Sequence, residues 1–117
     1  MNSNKPYSRS ERVSKQVLDI LSGILVKHID FSALGFVTLT YVTMSPDLKS
    51  AKVFYSVLEQ KKSNEEINIE INKKQKAFKK FMSPELRLKS TPAIRFYLDD
   101  TFSYGEKINK LFQDSDI

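Results

Sequence analysis

The stretch KKQKAFKKFMSPELRLKSTPAIRF, residues 73–96, decides both how this chain folds and where its charge collects. Its first half spaces Phe78, Phe81 and Met82 as one face of a helix, with lysines filling the other face. Ser83-Pro84 breaks that helix, because proline has no amide hydrogen to donate and disfavours helical backbone in the residue before it. Past Pro92 the period changes to two. Ile94, Phe96 and Leu98 face one way and Arg95 and Tyr97 the other, which predicts a strand over Ala93 to Leu98. Seven basic residues lie in the window from Lys73 to Lys89 (Lys73, Lys74, Lys76, Lys79, Lys80, Arg87 and Lys89), against Glu85 alone. The window therefore carries +6 in a chain whose net charge is +5, and the remainder is close to neutral. A field this local points to a polyanionic partner; the competing reading is an ordinary solvated helix face.

Working upstream, Ser63 and Glu66 have capping-box spacing, and Ile67 and Ile71 continue the apolar face of a long helix that reaches Met82. Glu65, Glu66 and Glu70 occupy its first turns and lysines its last, in agreement with the helix dipole. Glu85 to Lys89 is expected to add a further turn, which makes a helix-turn-helix with a lysine-rich junction. Before it, two β-branched runs, Phe36 to Met44 and Ser50 to Leu58, flank the turn Ser45-Pro46-Asp47 and predict an antiparallel hairpin. Val37, Leu39 and Tyr41 are expected on one side of the first strand. Ala51, Val53, Tyr55 and Val57 are expected on one side of the second, opposite Lys52, Phe54 and Ser56. The chain opens with a helix from Ser8 to about His28, capped by Ser8 and Glu11, whose apolar stripe is Val13, Val17, Ile20, Leu21, Ile24 and Leu25. A last helix is expected from Ser103 to Phe112.

Composition narrows the function classes. With 117 residues, 40% of them hydrophobic, the chain has the make-up of one globular domain, expected over residues 8–113 with flexible termini at 1–7 and 114–117. There is no cysteine, a single histidine (His28) and three glycines, so neither a zinc site of usual spacing nor a phosphate-binding glycine loop can be assembled. Asp99 and Asp100 are neighbours whose side chains diverge, unsuited to paired acid and base work and better read as a turn. Neither a leader nor an apolar run of about 20 residues is evident, and a cytoplasmic location is expected. The expectation is a monomeric binding protein, not an enzyme, with no cofactor or metal.

The order helix, strand, strand, helix, helix, strand is that of an α+β domain of type II KH-like topology, a three-stranded sheet backed by helices that binds single-stranded or irregular RNA at the helix junction. Local sequence extends this. Ser10-Glu11-Arg12-Val13, Leu34-Gly35, Met44-Ser45-Pro46-Asp47-Leu48 with Ala51-Lys52-Val53, and Leu86-Arg87-Leu88 ahead of Thr91-Pro92-Ala93-Ile94-Arg95-Phe96 and Asp99-Asp100 occur in order. Together they resemble the ribosome-binding factor A family over about Ser8 to Lys110. The resemblance implies a cytoplasmic assembly factor that binds free 30S small ribosomal subunits and 16S rRNA. It also implies a part in late 30S maturation and 16S rRNA 5′-end processing, most needed in the cold. In that family the helix pair is interrupted at an Ala-x-Gly. The matching positions are Lys74, Gln75 and Lys76, without the glycine, which makes Ser83-Pro84 the alternative place for the bend.

Candidate RNA-binding residues are accordingly Lys73, Lys74, Lys76, Lys79, Lys80, Arg87 and Lys89, with Arg9, Arg12 and Lys15 as a secondary basic edge. Phe54, Tyr55, Phe96 and Tyr97 could stack on bases, but the strands lack the spacing of an RNA-recognition sheet and most of these rings are expected in the core. The alternatives are a helix-turn-helix DNA-binding protein, a generic polyanion binder, or an amphipathic helix that exposes Phe78, Phe81 and Met82 to a membrane or a partner.

Overall fold

The computed structural model describes residues 8–99. Six elements follow in chain order: α1 (Arg9–His28), β1 (Phe36–Met44), β2 (Ser50–Leu58), α2 (Asn64–Asn72), α3 (Gln75–Met82) and β3 (Ala93–Leu98). This is the expected α+β order, and the fold is type II KH-like; the helix expected at 103–112 lies outside the described residues. Both helix starts form as their sequences dictate. Ser8 Oγ accepts the Glu11 amide at 3.2 Å while the Ser8 amide donates to the Glu11 carboxylate, and Ser63 Oγ accepts the Glu66 amide at 3.1 Å.

The sheet runs β1-β2-β3, with β1 and β2 antiparallel and β2 and β3 parallel. A parallel partner requires a crossover, and α2 and α3 supply it. Gly35 makes the entry to β1 possible. Its φ is +130°, and a Cβ there would sit 2.8 Å from the Leu58 carbonyl oxygen. At the hairpin Asp47 accepts from the Ser45 hydroxyl at 2.6 Å and from the Lys49 amide at 3.0 Å, bonds that hold its carboxyl below the usual range.

Strict alternation fails in β1. The register slips between Leu39, opposite Tyr55, and Tyr41, opposite Phe54, so Thr40 is an extra residue whose hydroxyl donates to the Phe54 carbonyl. This bulge turns Leu39 and Val42 both inward and sends Tyr41 to the outer face, away from the side shared by Val37 and Leu39. The reward is a continuous inner face. Leu39, Val42, Ala51, Val53, Tyr55, Ile94 and Phe96 meet Val13, Val17, Leu21 and Ile24 of α1, Ile67 and Ile71 of α2, and Phe78 and Met82 of α3 in one cluster. At about 25 cal/mol per Å² of apolar area, each fully buried ring or branched side chain contributes roughly 1.5–3 kcal/mol.

Two local expectations are corrected. The long helix is two helices, broken at Lys73-Lys74 and not only ended at Ser83-Pro84. Residues 85–89 form no helical turn; α3 ends at Met82, and the segment beyond is pinned by buried Leu86 and by a Ser83 to Thr91 hydroxyl contact of 2.8 Å. Among the described residues no helix is long and apolar enough to cross a membrane.

Candidate nucleic-acid interface

The break between α2 and α3 forms without glycine. Lys73 keeps near-helical backbone (φ −65°, ψ −18°) and Lys74 relaxes to φ −94°, ψ 7°, while their amides donate back to the Ile69 and Ile71 carbonyls. Both conformations are open to any L-residue, so the missing glycine removes nothing the bend requires. The bend at Lys73-Lys74 meets the three positions matched to the resembled family's interruption at Lys74 alone, since Gln75 and Lys76 already belong to α3. No side chain caps α3. Its N-terminus is the positive end of the helix dipole, and the sequence places Lys73, Lys74 and Lys76 around it.

All seven candidate residues of the main set are exposed. Phe78 and Met82 are fully buried beneath them, so α3 offers its charged face and keeps its apolar face in the core. That burial removes the membrane or partner-docking reading of Phe78 and Met82. Lys73 shares its charge with Glu70 across 3.0 Å, and the pairing holds the Glu70 carboxyl below the usual range. Among the described residues Lys74, Lys76, Lys79, Lys80, Arg87 and Lys89 pair with no carboxylate. Arg87 and Lys89 extend the charge beyond the C-terminal end of α3, on the segment anchored by Leu86.

Arg9, Arg12 and Lys15 are exposed too, but they stand apart. Lys15 lines an apolar groove of about 370 Å³ between the start of α1 and Tyr41 to Met44, whereas α3 meets the far end of α1 through the His28 and Phe81 rings, stacked at 4.1 Å. At 1.5 Å per residue that is a separation of roughly 20 Å along α1. His28 thus packs as a flat ring. Tyr55 and Phe96 are core as expected; Phe54 and Tyr97 are half-buried on the outer face of the sheet.

Two asparagines that the sequence did not single out, Asn68 and Asn72, join the helix pair to β3, with Gln75 bonded to Asn72. Asn72 Oδ1 accepts the Phe96 amide at 2.9 Å and Asn72 Nδ2 donates to the Phe96 carbonyl at 3.1 Å, as a neighbouring strand would. Asn68 Nδ2 donates to the same carbonyl and to the Tyr55 hydroxyl, and burial pushes that hydroxyl's pKa up, partly offset by the Asn68 bond. Gln75 Nε2 donates to Asn72 Oδ1 at 2.8 Å. The edge of β3 is thereby paired at Phe96, which ties the end of α2, next to the lysine break, to the strand. Between them lies a cleft of about 310 Å³ lined by Asn68, Asn72, Gln75, Arg95, Phe96 and Tyr97. The signal in the sequence was an Asn at i and i+4, beside the buried Ile67 and Ile71, in a helix that asparagine does not favour. Among the described residues no cluster of His, Cys, Asp or Glu could hold a metal.

Known proteins bear on this geometry. The family model for ribosome-binding factor A matches residues 9–112. A ribosome-binding factor A of Geobacter metallireducens is 32% identical over 108 residues, covering 92% of each chain. Among solved structures, the crystal structure of ribosome-binding factor A from Thermus thermophilus superposes with a TM-score of 0.66 at 15% identity, over 79% of this chain and 97% of that one. A Thermus thermophilus ribosome-binding factor A homology model, fitted into a cryo-EM map of its complex with the 30S subunit, gives a TM-score of 0.63 at 14% identity, over 78% and 96% of the two chains.

Proposed function

Because the chain belongs to the ribosome-binding factor A family, we propose that it binds the 30S ribosomal subunit by gripping 16S rRNA phosphates with the lysine-lined break between α2 and α3. The observation that carries this reading is the uncapped start of α3, set among exposed lysines and fixed to a buried core. The 30S complex described for the Thermus thermophilus relative supports the partner. Lys74 and Lys76 flank the first amides of α3, where a phosphate oxygen can take N–H bonds and ammonium charge together. Lys79, Lys80, Arg87 and Lys89 continue the track, each neutralised phosphate adding a counterion-release contribution to affinity.

The action is binding, not bond chemistry. Residues 8–113 act as one cytoplasmic RNA-binding unit that favours one conformation of an immature subunit over others, by as much free energy as the two conformations differ in their contacts. Late 30S maturation and 5′-end processing of 16S rRNA, with the greatest need in the cold, are the steps this would assist. Charge reversal of Lys76 and Lys79 is expected to abolish association with small subunits in a folded protein. Unchanged association would reject this surface, and a preference for duplex DNA over RNA in competition would replace the partner.

A further inference from the structure

The outer face of the sheet carries a feature that the proposed interface leaves unused. Three aromatic rings, one per strand, stand side by side: Tyr41 and Phe54 stack at 4.2 Å within 10° of parallel, and Tyr97 lies 5.7 Å from Phe54. The bulge in β1 is what delivers Tyr41 to this row. One register step away, Lys52 pairs with Arg95, and the Lys52 Nζ lies 5.9 Å from the Tyr97 ring centre. No carboxylate stands among the outward side chains of the three strands.

Cross-strand stacking accounts for Phe54, which is covered on both sides. It does not account for the ends of the row, where Tyr41 is 41% exposed and Tyr97 opens toward the edge of β3. Arg95 and Tyr97 also line the cleft beside Asn72 and Gln75. The outer face is therefore continuous with the lysine break around a single strand edge. A base has the shape and polarisability to extend such a row, and adjacent Lys and Arg side chains suit its phosphates.

We propose that the Tyr41–Phe54–Tyr97 row, with Lys52 and Arg95, is a second nucleic-acid contact that stacks unpaired bases of RNA whose backbone is held at the α2–α3 break. This rests on the RNA-binding reading above and adds to it a preference for single-stranded segments. Stacking needs bases with free faces, which a duplex does not offer, whereas the lysines see phosphates in either form.

The test compares the full chain with Tyr41→Leu/Tyr97→Leu, which keeps apolar bulk on the strands but removes the π-faces, and with Arg95→Gln. The probes are a mixed-sequence single-stranded RNA of about twelve nucleotides and an RNA duplex of equal length, followed by fluorescence anisotropy. The double leucine variant is expected to lose at least about fivefold in single-strand affinity, the lower end for one stacked base, and to bind duplex as the parent does. Arg95→Gln is expected to weaken single-strand binding and lower its salt dependence. Unchanged single-strand affinity in folded leucine variants overturns the proposal, as does an equal loss on both probes. If another part of the chain covers the rings, the leucine variant will shift the melting temperature and leave RNA affinity alone, which also overturns it. Substitution of Lys76 and Lys79 should weaken both probes; if it weakens neither, the primary interface fails while the stacking comparison still reads out.

Discussion

Replacing Lys76 and Lys79 by glutamine is the perturbation whose consequence follows most directly from the geometry. Both side chains are exposed on the outer face of α3, while Phe78 and Met82 anchor the same helix in the core. Lys76 sits in the first turn, where positive charge opposes the helix dipole, so its removal is neutral or slightly favourable. Lys79 sits in the last turn, where its loss costs about 0.3–1 kcal/mol. The fold should therefore change in stability by no more than about 1 kcal/mol. Affinity is another matter. Each phosphate contact adds about 0.7 (single strand) to 0.9 (duplex) to the slope of log K against log salt, which between 1 M and 0.1 M is about 0.7–0.9 log units per contact. Two lost contacts predict a fall of about 1.4–1.8 in slope and roughly 25- to 60-fold weaker binding at 0.1 M salt. The assay is a salt titration of binding to purified small subunits, with urea unfolding of the variant as control. A native-like variant with the parental slope and affinity would refute the assignment of these lysines to phosphates.

Three further outcomes are expected. Gly35→Ala should destabilise by about 1–3 kcal/mol, seen as a lower urea midpoint, because the φ of +130° and the close Leu58 carbonyl admit no Cβ without strain; an unchanged midpoint would mean that the β1 entry relaxes freely. Asn72→Ala strips the Phe96 amide of its acceptor and should cost about 1–3 kcal/mol in chemical unfolding, while a loss below a few tenths would show that water replaces the amide. Asp30 and Asp47 have lowered pKa values, from hydrogen bonds with Ser32 and with Ser45 and Lys49 respectively. Carboxyls depressed in the folded state lend stability that is present above their unfolded pKa and lost as pH falls through the folded one. Unfolding followed below the usual carboxylate range should show this loss, and Asp47→Asn should flatten it; an equally steep acid loss in the variant would contradict the assignment.

What could be read beforehand is instructive in its pattern. Local signals carried through: Ser8 with Glu11 and Ser63 with Glu66 do cap helices, the hairpin forms across Ser45 to Ser50, and Ile94 and Phe96 enter the core. The misreadings are tertiary. Thr40 becomes a bulge because Leu39 and Val42 must both reach the core that α1 lies on, a demand that strand alternation alone does not contain. The break at Lys73-Lys74 carries neither proline nor glycine. It lies between two buried pairs, Ile67 and Ile71 on α2 and Phe78 and Met82 on α3, with Asn72 beside it clamped to Phe96. The charge track was legible because lysine density is a linear property of the sequence. The cleft at the edge of β3 was not, since Asn68, Asn72 and Arg95 meet only through the parallel pairing of β2 and β3.

The central claim, that a lysine-lined helix break binds the small ribosomal subunit, is tested most directly by sedimenting the protein with separated small and large subunits at low salt and at several-fold higher salt. Selective retention on the small subunit at the higher salt is the predicted result, because a fixed arrangement of amides and lysines recognises shape as well as charge. Equal binding to both subunits, lost together as salt rises, would contradict it and reduce the lysine track to a generic polyanion surface.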